Sequence, residues 1–191
     1  MTSFLLIQEL QQRLGDELKN WHLEHFIGGE NHRAAPNIII GQLPPRTGSM
    51  PANATQLQKN SSNDFIPFII IRPLDNTFSN DHPCQQILNI AIVCGIRSSD
   101  SYEKYERGVG DVLNLIDKIA LSIKKYQLWG QNNFYHNDDI KCTYGSPKSI
   151  DPYEIGLQAE APYFYAVALT SFTRTIATQK VELNNVFKKL N

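Results

Sequence analysis

The residues best suited to chemistry lie in two short clusters. His22-Leu23-Glu24-His25 places two imidazoles three positions apart, with Glu24 between them and Glu30 nearby. On a helix, that spacing turns both rings toward one ion. It lacks the i, i+4 histidines of the zinc-protease helix. It also falls where a first helix should end, so a surface cluster at a helix terminus is the preferred reading. Asp138-Asp139 beside His136 supplies hard oxygen ligands for a divalent cation. Adjacent carboxylates diverge unless a loop turns them together, and a solvated loop accounts for them more simply.

The three cysteines, Cys84, Cys94 and Cys142, are odd in number and contain no CxxC pair. Free thiols in a reducing compartment follow. Cys94 sits in an apolar register and reads as a small buried hydrophobe. Cys84 and Cys142 are the pair to check for proximity. Gly108-Val109-Gly110 lacks the following Lys-Ser/Thr of a phosphate loop, and no G-x-S-x-G elbow occurs. Tyr163-Phe164-Tyr165 could stack bases. Without flanking Arg and Lys, it reads as core on one face and contact surface on the other.

The elements that must position these residues centre on Gln86 to Lys125. Tyr105, Val109, Val112, Leu113, Ile116, Ile119, Ala120 and Ile123 follow the i, i+3, i+4, i+7 rule of a core-facing helix. Lys104, Asp111, Asn114, Lys118, Ser122 and Lys125 fall opposite. Asp100 and Glu103 have capping-box spacing. Gly108 and Gly110 each cost about 1 kcal/mol in a helix, which points to close packing or a loose first turn. Before the helix, QILNIAIVCGIR alternates as a strand. Leu88, Ile90, Ile92, Cys94 and Ile96 share the face expected under the helix. Ile87, Asn89, Ala91, Val93, Gly95 and Arg97 share the other, smaller and more mixed.

Elsewhere, a helix is expected from Ser3 to about Trp21, with a break at Gly28-Gly29 and a short strand over residues 36–42. Residues 43–64 hold three prolines and many Asn, Gln and Ser, and read as a mobile arm. FIPFIIIRP is a strand apolar on both faces, and residues 74–85 are turn-rich. A short strand is expected at Ile140–Tyr144. APYFYAVALTSFTRT is the last strand, with Tyr163, Tyr165, Val167 and Leu169 on one face and Phe164, Ala166, Ala168 and Thr170 on the other. The tail, 176–191, carries an amphipathic pattern through Val181, Leu183, Val186, Phe187 and Leu190. The expected fold is one α+β domain over 1–191: an antiparallel sheet of about four strands with two long helices on one face.

With 191 residues and 41% hydrophobic content, the chain can build a real core. A net charge of −1 gives no general attraction to nucleic acid or anionic lipid. The first ten residues lack a basic region and do not fit a signal peptide. No apolar run reaches membrane-spanning length, and no membrane partner is expected.

The order helix, strand opened by proline (IPFIIIRPLD), second long strand (QILNIAIVCGIRSSD), helix (YEKYERGVGDVLNLIDKIALSIKK) and late strand (APYFYAVALTSFTR) resembles the tail terminator, or tail completion, proteins of long-tailed bacteriophages. The resemblance covers roughly residues 65–174. It lies in element order and texture. The chain departs from the family in its length, the 43–64 arm and the longer tail.

The resemblance implies a structural virion protein without catalysis or cofactor. It implies a ring, usually hexameric, that ends tail-tube growth and meets the head connector, with DNA passing through unbound. The residues themselves agree with this: Ala91, Val93, Gly95, Ala166 and Ala168, taken as one small sheet face, suit packing against a neighbour, and Arg46, Asp138 and Asp139 are further candidates for subunit contacts. Two alternatives stand beside it: a head-closure or neck protein, and a metal-dependent enzyme using His22, His25 and Asp138-Asp139.

Overall fold

A computed structural model describes residues 3–27, 30–41, 67–79, 84–98, 105–131, 133–144 and 163–176. The order is α1 (Ser3–Leu18), β1 (Leu23–Ile27), β2 (Glu30–Ala34), β3 (Asn37–Ile40), β4 (Phe68–Phe78), β5 (Cys84–Arg97), α2 (Tyr105–Lys124), β6 (Leu128–Trp129), β7 (Phe134–Tyr144) and β8 (Tyr163–Ile176).

α2 forms where the apolar period is strongest. Val112, Leu115, Ile116, Ile119 and Ile123 are fully buried. Each contributes at most about 1.5–3 kcal/mol, the upper bound set by an extended reference chain. The buried stripe is turned toward Leu115 and Ser122 relative to the sequence expectation. Leu113, expected inside, is 40% exposed. One position advances the helix by about 100°, so Leu113 falls on the shoulder of the stripe and Leu115 replaces it.

Ser122, expected on the polar side, is buried and donates to the Lys118 carbonyl. α1 buries Leu6, Ile7, Leu10, Leu14 and Leu18. It ends at Leu18, not Trp21, because the following residues enter a hairpin. Trp21 still packs on the core.

The expected four-stranded antiparallel sheet is overturned. Six strands form a mixed sheet in the order β3-β4-β5-β8-β7-β6, and β1-β2 form a separate two-stranded sheet. β3 runs parallel to β4; every other neighbouring pair in the six-stranded sheet is antiparallel. Three local features account for the difference. First, Leu23–Ala34 is a hairpin: Ile27 pairs with Glu30 across Gly28-Gly29, a two-residue spacing suited to a tight turn. Second, β4 continues past Pro73 to Phe78, with Leu74 inserted as a bulge. Third, β7 spans Phe134–Tyr144 instead of a short strand at residues 140–144.

β5 and β8 pair along their whole length, from Cys84↔Ile176 to Arg97↔Tyr163. Leu88, Ile90, Ile92, Cys94 and Ile96 lie in the main core with both helices. We call this the near face. Ala91 and Val93 lie on the far face with Phe68, Ile70 and Val167.

The expected capping pair Asp100–Glu103, the arm 43–64 and the tail beyond Ile176 lie outside the described residues.

Candidate functional site

The structure separates the small residues proposed as one contact patch. Register pairs Cys94 with Ala166 and Ile92 with Ala168. Ala166 and Ala168 are therefore near-face residues buried in the main core. Ala91, Val93 and Gly95 are on the other side. Side chains alternate with a period of two, so a difference of one position in register exchanges the faces. Ala91 and Val93 are also already buried within the single chain.

Gly95 sits in a row between Phe68 and Tyr165. A Cβ there would lie 2.5 Å from Cζ of Phe68. The glycine thus makes room for two aromatic rings whose centroids are 6.4 Å apart. Arg46 lies outside the described residues.

His22 precedes β1 and is exposed, and Glu24 lies within β1. The helical reasoning that brought His22 and His25 together does not apply, since positions three apart in an extended chain face opposite sides. The side chains of His25 and Asp138 lie outside the described residues. Among the described residues, no group of three or more His, Cys, Asp or Glu could hold a metal ion. His136 is turned inward: its Nε2 is 2.8 Å from Thr170 Oγ1 and its ring packs on Phe172.

Asp138 and Asp139 occupy a bulge. Asn137 pairs with Ser171 and Ile140 with the next residue back, Thr170, so two residues of β7 are unmatched. β6 covers only Phe134 and Tyr135. Beyond them the outer side of β7 has no described strand on it. A bulge carrying acidic residues at such an edge discourages pairing with another chain.

The opposite edge is blunted differently. Asn37 donates to the Pro67 carbonyl and Gly41 to the Ile71 carbonyl, which turns the carbonyl of Ile38 outward. The Gln11 side chain of α1 donates to that carbonyl at 2.8 Å.

Around α1, polar side chains tie elements together. Glu9 pairs with Arg13 and accepts the Gln131 N–H at 3.0 Å. The Arg13 guanidinium lies 4.1 Å from the Tyr126 ring centroid and 4.5 Å from that of Trp129. Glu17 pairs with Lys125 and Lys118, joining the two helices. The Lys125 hydrogen bond lowers the Glu17 carboxyl pKa, and the same bond raises that of Lys125. An open groove of about 440 Å³ runs beside Leu5, Glu9, Arg13, Asp16 and Gln131.

Cys84 and Cys142, the pair expected to be close, are far apart. Cys84 lies opposite Ile176 and Cys142 opposite Ala168, eight positions along β8 or about 27 Å. Cys84 donates to the Ser79 carbonyl. Burial pushes the Cys94 thiol up to about 12.

Sequence reasoning missed the exposed apolar residues. Leu121, 67% exposed, and Leu113 flank Asp117 on the outward side of α2. Phe4 and Phe78 are exposed beside a buried knot in which Gln86 donates to Ser3 Oγ and Asn76 Oδ1. The signal for Leu121 was present in the sequence, because it falls opposite the buried stripe. No described helix is long and apolar enough to cross a membrane.

No protein-family model and no curated protein matches this chain.

Proposed function

We propose that this chain is a structural subunit that assembles as a ring, closing the end of a bacteriophage tail tube and presenting a surface to the head connector. One observation carries the reading. The segments that prompted the resemblance fold as one contiguous unit: β4, β5 and β8 are successive neighbours in the sheet, with α2 packed on the near face. A rigid platform of this kind suits a protein whose work is to hold a position. In this reading the chain resides in the virion tail, and its partners are its own copies, the tube subunit and the connector.

The blunted edges bear on how copies would meet. Strand-to-strand extension is disfavoured at both ends of the sheet, so contacts fall to side-chain surfaces. Among the exposed apolar residues, which also include Leu74, Tyr135 and Tyr144, two unlike pairs are Leu113 with Leu121 on α2 and Phe4 with Phe78 beside the Gln86 knot. Two unlike patches suit a head-to-tail contact, the kind that closes into a ring.

The test is the mass of the purified protein across a concentration series, alone and with tail tubes. A closed oligomer, or capture on tube ends, is expected. A monomer at every concentration that ignores tubes would overturn the proposal.

A further inference from the structure

The two exposed apolar pairs lie on opposite flanks of the sheet. β3 and β4 are at one end of the strand order, β7 and β6 at the other. On α2, Lys118 and Lys125 face α1, because both pair with Glu17. Leu113 lies about 140° round the helix from Lys118, and so looks away from α1, toward β7. Cys142 fixes the placement. It sits opposite Ala168, on the near face of β7. Burial raises its thiol pKa, Asp117 of α2 raises it further and Lys124 lowers it. Leu113, Asp117 and Leu121 therefore share one flank with the outer strand β7.

The other flank is built from α1 and β4. α1 turns Gln11 and Gly15 toward Ile38 of β3. Phe4 lies within about 20° of both round the helix, so it shares the side turned away from α2. Gln86 donates to Ser3 Oγ and Asn76 Oδ1, which holds Phe4 beside the end of β4 that carries Phe78. Phe4 and Phe78 are each 54% exposed. β3 pairs only with residues 68–71, so no described strand lies outside this part of β4.

We propose that the flank carrying Leu113, Asp117 and Leu121 in one copy docks on the flank carrying Phe4 and Phe78 in the next. This contact rests on the ring reading, which it makes specific. Charge disfavours pairing like with like. Asp117 is midway between Leu113 and Leu121, so a two-fold contact matching those leucines sets Asp117 against Asp117. Like charges set opposite each other exclude a partner. A two-fold contact at the other flank brings together two starts of α1, both positive helix ends.

Between unlike flanks the signs agree. The first turn of α1 carries no acidic side chain, and Asp117 brings a negative charge to the helix end that favours one. The flanking leucines and phenylalanines leave water together. Because the flanks lie on opposite sides of each copy, the contact repeats from one copy to the next, as a ring requires.

The test uses the full chain carrying Cys84→Ser and Gln8→Cys. Gln8 is exposed one turn from Phe4. Cys142 is exposed on the other flank, and Cys94 is buried. Isotopically labelled and unlabelled copies are mixed and joined with a bis-maleimide, and the linked peptides are identified by mass spectrometry. Links from position 8 to Cys142 between differently labelled copies are expected. Links only between two positions 8, or only between two Cys142 thiols, overturn the proposal. Leu121→Asp and Phe78→Asp give an independent reading, since each should weaken association at least about tenfold. Wild-type affinity in both overturns it. A wild-type chain that never associates defeats the ring reading and this contact together. A wild-type oligomer with no link from position 8 to Cys142 and no response to the two variants defeats this contact alone.

Discussion

Gly108 of α2 and Phe164 of β8 occupy one space: a Cβ on the glycine would lie 2.2 Å from Cε2 of the ring. The helix can approach the sheet here only because no side chain intervenes. Gly110, two positions further along, has nothing within 4 Å of such a Cβ. The two glycines, alike in sequence, should therefore respond oppositely. Gly108→Ala should destabilise by about 1–3 kcal/mol through overpacking. Gly110→Ala should stabilise by up to about 1 kcal/mol, the usual helix preference. Urea midpoints of the two variants check this, and equal shifts would contradict the packing described.

Gln11 and Ile38 make the second case. Removing the amide leaves an outward carbonyl on β3 without its donor. Gln11→Ala should cost about 1 kcal/mol and promote association through the exposed edge. Light scattering at matched stability separates the two effects. Unchanged scattering would show that the edge is guarded by something else.

Thiol chemistry gives a third. Native protein should label at Cys142 first and at Cys94 last, with Cys94 reacting only on unfolding. Burial raises the Cys94 thiol from 9.0 to about 12. A raised folded pKa means its contribution is complete below about 9 and is lost as pH climbs toward about 12. In that window Cys94→Ala should lose stability less steeply than wild type, by about 1.4 kcal/mol per pH unit. Equal slopes would mean that the thiol is not desolvated. The exposed Glu17–Lys125 pair works in the other direction for the acid. Its depressed carboxyl pKa favours the fold above the ordinary 4.5 and is lost as pH falls.

The apolar residues on α2 carry a fourth. Leu121→Asp and Leu113→Ser should leave the urea midpoint within about 0.5 kcal/mol, as surface changes do, while weakening self-association. Unchanged association would move the contact elsewhere.

The helix over Tyr105–Lys124 and the alternation of β5 were legible because both rest on long, regular apolar periods. Leu113 was misassigned because several apolar residues crowd the shoulder of the stripe and Leu115 competes for the inward position. The hairpin of β1 and β2 was missed because LEHFI and ENHRA are polar enough to resemble a helix end. The parallel β3–β4 pair could not be read locally, since strand direction depends on how the intervening chain returns. Ala166 and Ala168 were grouped with Ala91 because composition resembles a face, whereas only register defines one. Asp138 and Asp139 look like ligands in sequence, and the bulge that accounts for them exists only once β7 pairs with β8.

The mass of the protein in solution, read by native mass spectrometry from micromolar to millimolar subunit concentration and again with purified tail tubes, tests ring formation most directly. The account predicts one closed oligomer of fixed copy number, or its appearance on tube ends. A monomer throughout, with tubes still free to elongate in its presence, would contradict it.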